Sequence, residues 1–150
     1  MKSEFVYVSY IKTTPKKLWH ALTSPQLLKQ YWIGMVTESD WQVGSAWTMR
    51  FPDGRIADTG EIVEFVALRH MQIKWRNEWQ PELRDEGFSL CTFDLEQAGE
   101  VVKLTLTHGL DLPKSKFIEA VSDAWPICLS NLKSLLETGD VILKDNPRHE

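Results

Sequence analysis

Apolar and polar residues alternate at the start of the chain, with many β-branched and aromatic side chains, and this predicts a β-strand over residues 4–12. Two helix starts follow directly, because Thr14-Pro15 and Ser24-Pro25 each join an N-cap residue to a proline at the first helical position. Behind each start apolar residues recur at helical spacing, and Gly34 ends the second run. The chain is therefore expected to begin with one strand and two short helices.

From Trp41 onward the pattern changes to alternating runs separated by turn residues, which is typical of an antiparallel meander. Asp53-Gly54 and Ala98-Gly99 supply two of the turns, and residues 68–77 alternate between apolar and polar side chains. Five or six strands fit into this part of the chain. The polar segment 78–86, which contains a proline, is expected to be a mobile loop.

The last third of the chain returns to helical spacing, with apolar residues from Phe117 to Leu136 and Gly139 as the stop. This predicts one long C-terminal helix that faces the sheet. Pro126 lies inside it and has no backbone N–H, so a kink or a break is expected around residues 123–125. Residues 140–150 are expected to form a flexible tail.

The size and composition of the chain suit a single folded domain. It has 150 residues, of which 43% are hydrophobic and 25% charged, and the core is expected at about residues 4–139. The net charge of −4 is spread through interleaved acidic and basic residues, which argues against a nucleic-acid partner. No segment suits a bilayer span, and the N-terminus lacks the apolar stretch of a signal peptide. We therefore expect a cytoplasmic protein without a membrane partner.

The cysteine and histidine residues give no sign of a disulfide or a metal site. Cys91 and Cys128 lack Cys-x-x-Cys spacing, so we expect both to remain as buried thiols. The four histidines, at positions 20, 70, 108 and 149, have no metal-ligand spacing. We expect neither a metal nor a cofactor.

The predicted order of elements is the helix-grip plan, and local motifs make a resemblance more specific. These are the run from Pro15 to Pro25, then Trp32, Gly44, Trp47, Asp53-Gly54, Gly60-Glu61, Trp75, the run from Thr105 to His108, and Trp125-Pro126 with Leu129, Leu132, Leu135 and Leu136. With them the chain resembles the activator of heat-shock-protein-90 ATPase family of the START-like superfamily, from about residue 8 to residue 139.

The resemblance implies an α+β helix-grip (START-like) fold, in which a long C-terminal helix packs on a curved antiparallel meander. The superfamily includes lipid carriers, hormone receptors, polyketide cyclases and co-chaperone domains, so the fold alone does not assign the activity. The resemblance brings no set of catalytic residues to this chain.

Seven tryptophans are the most unusual feature of the composition, because such large rings either fill a core or line a cavity. We expect flat rings between the helix and the sheet to leave an apolar slot, and the alternative is a solid core of tryptophans. The candidate cavity residues are Trp32, Met49, Glu61, Trp75, Phe93, Leu106, His108 and Trp125.

The polar candidates each have two interpretations. His108 either points into the cavity or bonds to backbone at the end of its strand. Glu61 either faces inward as a candidate base or lies exposed opposite a basic side chain. Asp40 and Asp58 are interpreted as turn or strand-edge residues, and Trp79 as a lid or an interface anchor.

Three functional hypotheses follow from these residues and from the resemblance. The first is a non-enzymatic module that binds a small hydrophobic or aromatic ligand between the long helix and the sheet. The second is a protein-interaction or co-chaperone-like domain with a packed interior, which contacts a chaperone or a second copy of itself. The third, an enzyme of the cyclase or hydrolase kind, ranks last because the sequence offers no convergent acid and base.

Overall fold

The secondary structure follows the predicted order of elements in the computed structural model, which describes residues 1–145. In chain order the elements are β1 (Ser3–Ile11), α1 (Pro15–Thr23), α2 (Pro25–Tyr31), β2 (Val36–Ser39), β3 (Ala46–Arg50), β4 (Ile56–Val66), β5 (His70–Asn77), α3 (Pro81–Arg84), β6 (Ser89–Ala98), β7 (Val101–Leu110) and α4 (Lys116–Thr138). The strands form one seven-stranded sheet in the order β1-β7-β6-β5-β4-β3-β2. All neighbouring strands pair antiparallel, as the meander pattern predicts. The predicted α+β helix-grip fold is confirmed.

The two short helices begin at the predicted caps. The Thr14 hydroxyl accepts a hydrogen bond from the Lys17 backbone N–H at 3.2 Å, and the Ser24 hydroxyl accepts one from Leu27 at 3.4 Å. Proline follows each cap, at a position whose N–H has no partner within a helix. Strand β2 is only four residues long and was not predicted from the sequence.

The strand register places the large apolar side chains of the sheet on one face, and α4 covers them. At the β1 edge, α4 also bonds to the strand itself. The backbone N–H of Lys12 donates to the Glu137 carboxylate at 2.8 Å, and the Lys133 ammonium group donates to the carbonyl of Tyr10. β-bulges next to Met49 and next to Ile62 interrupt the pairing of β4, and bulges of this kind bend a sheet. Helix and sheet therefore meet closely at one side and diverge at the other.

Helix α4 continues through Pro126, so of the two expected outcomes, a kink or a break, the break is wrong. The proline removes one intrahelical hydrogen bond, but the residues around it are among the most buried of the protein. Trp125, Leu129 and Leu132 are each at most 2% exposed. Their packing keeps the helix continuous over 23 residues.

The segment 78–86, which we expected to be a mobile loop, is anchored at both ends. It contains α3, whose Leu83 is 6% exposed, and the carboxylate of Glu86 sits at the start of α4. That carboxylate accepts hydrogen bonds from the Ser115 hydroxyl at 2.7 Å and from the backbone N–H groups of Lys116 and Phe117 at 2.9 and 3.1 Å. An acidic group at this position also suits the positive end of the helix dipole.

The predicted flexible tail, 140–150, is fixed in its first part. The amide oxygen of Asn131 accepts hydrogen bonds from the backbone N–H groups of Ile142 and Leu143, at 3.1 and 2.8 Å. The amide nitrogen of Asn131 donates to the carbonyl of Leu143 at 2.7 Å. Residues 146–150 lie outside the described part of the chain. Within residues 1–145, no helix has the length and apolar character needed to cross a membrane.

Candidate functional site

Four tryptophans meet under the first half of α4, and Trp75 is at their centre. Its ring centroid lies 4.4 Å from that of Trp47 and 5.7 Å from those of both Trp32 and Trp125. Trp47 and Trp75 approach each other across Gly60, which pairs with both residues in the sheet and has no side chain to separate the rings. A Cβ atom on Gly60 would lie 1.6 Å from the backbone oxygen of Lys74, so only glycine fits there.

The rings interlock and leave almost no space between them. Trp125 meets the rings of Trp32 and Phe93 edge-on, at interplanar angles of 73° and 80°. The remaining void is ≈ 20 Å³, about the room that one water molecule needs. The expected slot between these rings is therefore filled, because Trp125 meets its neighbours edge-on instead of stacking on them.

His108 belongs to this packed interior, and its hydrogen bonds define its protonation state. The Trp125 indole N–H donates to His108 Nδ1 at 3.0 Å, and His108 Nε2 lies 2.8 Å from the Ser89 hydroxyl. Because an indole can only donate, Nδ1 must be the acceptor and the ring proton must be on Nε2. The Ser89 hydroxyl in turn donates to the carbonyl of Trp75 at 2.8 Å, so each group in this series of hydrogen bonds has a partner.

This network excludes the Ser89–His108 pair as a nucleophile and base. A base would need an unprotonated Nε2 facing the hydroxyl, which would put a second donor against the Trp125 N–H. Both residues are 0% exposed, and burial lowers the pKa of His108 from its usual 6.5 to about 3. The expected backbone partner of His108 is thus replaced by two side chains that lie far from it in the sequence.

An open cleft lies on the other side of the same tryptophans, where α4 diverges from the sheet. Its volume is ≈ 860 Å³, within the range of small-molecule sites. Trp32, Met49 and Trp75 line both this cleft and the small void, so they form the wall between the two. The remaining walls come from Ile33, Met35, Phe51, Pro52, Arg55, Ala57, Asp58, Asn77, Trp79, Gln80, Leu83 and Asp145, and from Phe117, Ala120, Val121, Ala124, Ile127 and Cys128 of α4.

Asp58 is the acidic group of the cleft wall formed by the sheet. It pairs with Met49 on one side and Asn77 on the other, so it shares the inner face with Trp75. Burial raises the pKa of Asp58 from its usual 3.8 to about 7; the Trp75 indole opposes this rise and the nearby Glu78 carboxylate adds to it. We interpreted Asp58 as a turn or strand-edge residue, and the structure instead places it in the cleft.

Glu61, the residue we considered as an inward base, lies on the opposite face. Its side chain is exposed, and it pairs with Lys74 across β4 and β5. Phe65 packs against the core, and an uninterrupted alternation of faces from Phe65 back along the strand would place Glu61 on the inner face. The bulge between Ile62 and Glu64 changes the phase, so that the even-numbered residues 58, 60 and 62 face inward.

The other predicted cavity residues divide between the core and the wall of the cleft. Trp32, Met49 and Trp75 line the cleft, whereas Phe93 and Trp125 line only the void. Leu106 and His108 line neither space and are 0% exposed.

Trp79 lies at the edge of the cleft. It is 51% exposed, and its ring meets that of Phe51 edge-on at 5.3 Å. Its loop is held by Asn77, whose amide oxygen accepts the backbone N–H of Gln80 at 2.9 Å. A role for Trp79 as a lid stays a prediction.

Neither a disulfide nor a metal cluster appears in the described part of the chain. Cys91 and Cys128 are buried thiols, and burial raises the pKa of Cys91. No group of three or more candidate ligands within residues 1–145 could hold a metal ion. His149, one of the four histidines considered, lies outside these residues.

The chain is similar to known proteins at the level of family and of fold. Residues 12–137 match the family described as Activator of Hsp90 ATPase homolog 1-like protein. No curated protein gave a significant match.

Three solved structures illustrate the structural similarity. The Aha1 dimer from Colwellia psychrerythraea is 21% identical, with a TM-score of 0.75 over 91% of this chain and 98% of that chain. Protein MLL2253 from Mesorhizobium loti is 21% identical, with a TM-score of 0.78 over 93% and 100%. PFC0360w, an HSP90 activator from Plasmodium falciparum, is 21% identical, with a TM-score of 0.71 over 89% and 95%. At this level of identity the structures establish the fold.

Proposed function

Because the chain belongs to the Activator of Hsp90 ATPase homolog 1-like family, we propose that it is a binding module of the helix-grip type, which holds a small hydrophobic or aromatic molecule in the open cleft. The observation that carries this proposal is the cleft itself: a volume of ≈ 860 Å³ walled mainly by apolar and aromatic side chains. Transfer of a flat apolar molecule from water into such a site is favourable, and its rings would contact Trp32 and Trp75.

The arrangement favours binding over catalysis. Asp58 has the raised pKa of a general acid–base group, but the described residues of the cleft include no serine, histidine or lysine, and the Cys128 thiol in its wall is 3% exposed. The Ser89–His108 pair is sealed in the core in a protonation state unsuited to nucleophilic attack. We therefore propose no reaction for the cleft.

Thermal unfolding with 2-naphthol tests the proposal, because a ligand that binds only the native state raises the melting temperature. Ala124, a half-buried residue of α4 in the cleft wall, is replaced by tryptophan to fill the cleft. Ala67, exposed in the β4–β5 turn, receives the same substitution as a matched control. Wild type and Ala67→Trp should be stabilised by the probe, and Ala124→Trp should not. Equal stabilisation of all three proteins would show that the probe binds elsewhere.

A second candidate function is protein interaction through the outer face of β1, the edge strand of the sheet. Val6, Val8 and Tyr10 project from it in a row and are 52%, 46% and 52% exposed. Adjacent exposed apolar side chains of this kind occur at protein interfaces. A second copy of the chain is the partner we propose for this face, and a co-chaperone-like contact is the alternative.

Sedimentation of the wild type and of Val8→Lys tests this second candidate. A wild-type dimer that Val8→Lys converts into a folded monomer would support it. A wild type that stays monomeric at high concentration would exclude a second copy as the partner.

A further inference from the structure

The charged side chains of the cleft differ in how their charges are balanced. Within residues 1–145 three of them line it, Arg55, Asp58 and Asp145. The Arg55 Nε donates to the Asp53 carboxylate at 2.8 Å, and its guanidinium carbon lies 5.0 Å from the centroid of the Phe51 ring. Asp145 is exposed, and water weakens the field of its charge. Asp58 is half-buried in the sheet wall, so its charge has the strongest effect inside the cleft.

Asp58 has no ion pair with a lysine or an arginine in the described part of the chain. The Trp75 indole N–H donates a hydrogen bond to its carboxyl group, but an indole is neutral and supplies no charge. The charged group that acts on Asp58 is the Glu78 carboxylate, which has the same sign. Glu78 itself is paired with Arg76 at 2.7 Å. A carboxylate can accept about four hydrogen bonds, so Asp58 has both spare acceptor capacity and an unbalanced negative charge.

The other walls of the cleft add no positive charge near Asp58. In the loop after β5, the side chains of Asn77 and Gln80 are hydrogen-bonded to each other at 3.4 Å. Helix α4 contributes the buried Cys128 thiol and otherwise apolar side chains, namely Phe117, Ala120, Val121, Ala124 and Ile127. The cleft thus places one carboxyl group among apolar surfaces. Its chemical complement is a molecule with a single positive charge on an apolar body.

We infer that the ligand of the cleft is a hydrophobic amine, with an aromatic body that packs against Trp32 and α4 and a protonated nitrogen that donates to Asp58. This inference rests on the proposed function and adds the chemical class of the ligand. A hydrogen bond between an ammonium group and a carboxylate is about twice as strong as one between neutral groups. An anion would be repelled by Asp58, and a neutral compound would leave the carboxylate without an opposite charge.

The inference predicts that binding depends on pH. Burial raises the pKa of Asp58 to about 7, so in the free protein the carboxyl group is mostly protonated at about pH 6 and mostly ionised at about pH 8. An alkylammonium group, like that of lysine, keeps its charge over this range. The affinity for an amine should therefore rise about tenfold between these two pH values, because the ionised fraction of Asp58 rises by about that factor.

Calorimetric titration of the full chain with 2-naphthylmethylamine and with 2-naphthylmethanol tests this inference. The two probes have the same ring system and nearly the same shape, and they differ in charge. At about pH 8 the wild type should bind the amine about tenfold more tightly than the alcohol, the lower limit expected for a hydrogen bond to a charged group. At about pH 6 this preference should nearly disappear.

Two matched variants assign the preference to Asp58. Asp58→Asn removes the charge and keeps an oxygen that can accept from the Trp75 indole. Its preference for the amine should fall below about threefold and no longer change with pH, while its affinity for the alcohol is retained. Asp40→Asn is the same substitution at an exposed position that does not line the cleft, and it should bind both probes like the wild type. Near-UV circular dichroism checks that both variants are folded.

The outcomes separate this inference from the proposed function. Equal binding of both probes by the wild type at about pH 8 would overturn the amine and leave the cleft as an apolar site. An unchanged preference in Asp58→Asn, or an equal loss of preference in Asp40→Asn, would also overturn it, because the charge would then act from elsewhere. Failure of both probes to bind would remove the proposed function and the inference together.

Discussion

The buried His108 network predicts a specific loss of stability in acid, which a His108→Gln variant should remove. Glutamine can reproduce the two hydrogen bonds, because its amide oxygen accepts and its amide nitrogen donates, but it does not titrate. In the native protein His108 is neutral down to about pH 3, because burial disfavours the charged ring. In the unfolded chain the same ring takes up a proton below its usual pKa of 6.5.

The sign and size of the effect follow from this difference. Between pH 6.5 and about 3 the unfolded state binds more protons than the native state, so the free energy of unfolding falls as the pH falls. The contribution of His108 is fully present above pH 6.5 and decreases by up to about 1.4 kcal/mol for each pH unit below it. Over the whole window this amounts to several kcal/mol, a large part of a typical domain stability of about 5–15 kcal/mol.

Urea unfolding of both proteins at several pH values between about 7 and about 4 measures the effect. All other titratable groups are the same in both proteins, so their contributions cancel when the two free energies are subtracted. The wild type should lose stability more steeply than His108→Gln. Parallel pH profiles would show that His108 is not held neutral by the network, and the assigned position of its proton would then be wrong.

Three further predictions concern the parts of the fold that shape the cleft. Leu132→Asp should unfold the domain, because an unpaired charge under α4 has a cost of several kcal/mol, and a folded variant with an unchanged melting temperature would contradict the position of the helix. Gly60→Ala should lower the melting temperature more than Gly44→Ala, because a Cβ at position 60 would lie 1.6 Å from a backbone oxygen, whereas at position 44 a Cβ meets no atom and only the positive φ of 89° opposes alanine. Equal shifts would argue against this strand approach. Glu86→Ala should lower the free energy of unfolding in urea by about 1–2 kcal/mol, because its hydrogen bonds at the start of α4 are lost. Glu82 is exposed, so Glu82→Ala should stay within about 0.5 kcal/mol of the wild type.

The fold was predictable from the sequence because its signals are local. Caps at Thr14 and Ser24, the Asp53-Gly54 and Ala98-Gly99 turns, and the spacing of apolar residues in α4 each act within a few residues. Pro126 was misleading for the opposite reason. Its local effect is real, but the packing of the helix against the sheet outweighs it.

The site was less predictable because it depends on strand phase and on the angles between rings. A single bulge in β4 exchanges the faces of Glu61 and Asp58, and the pattern of apolar residues does not mark its position. The alternation of faces could have predicted the position of Asp58. Ile62 is an apolar residue that favours the buried face, and residues 58 and 60 lie on the same face as Ile62. The steep ring angles that fill the expected slot follow from tertiary packing, which the sequence pattern does not specify.

The most direct test of the account is a nuclear magnetic resonance titration that observes the indole N–H signals, each assigned by a Trp→Phe substitution. Trp75 lies in the wall of the cleft, whereas Trp19 packs against Phe65 in another part of the core. On addition of 2-naphthol the Trp75 indole signal should move, because the aromatic probe would lie against its ring, and the Trp19 signal should stay in place. A Trp75 signal that does not move at saturating probe, or an equal displacement of the Trp19 signal, would contradict binding in the cleft.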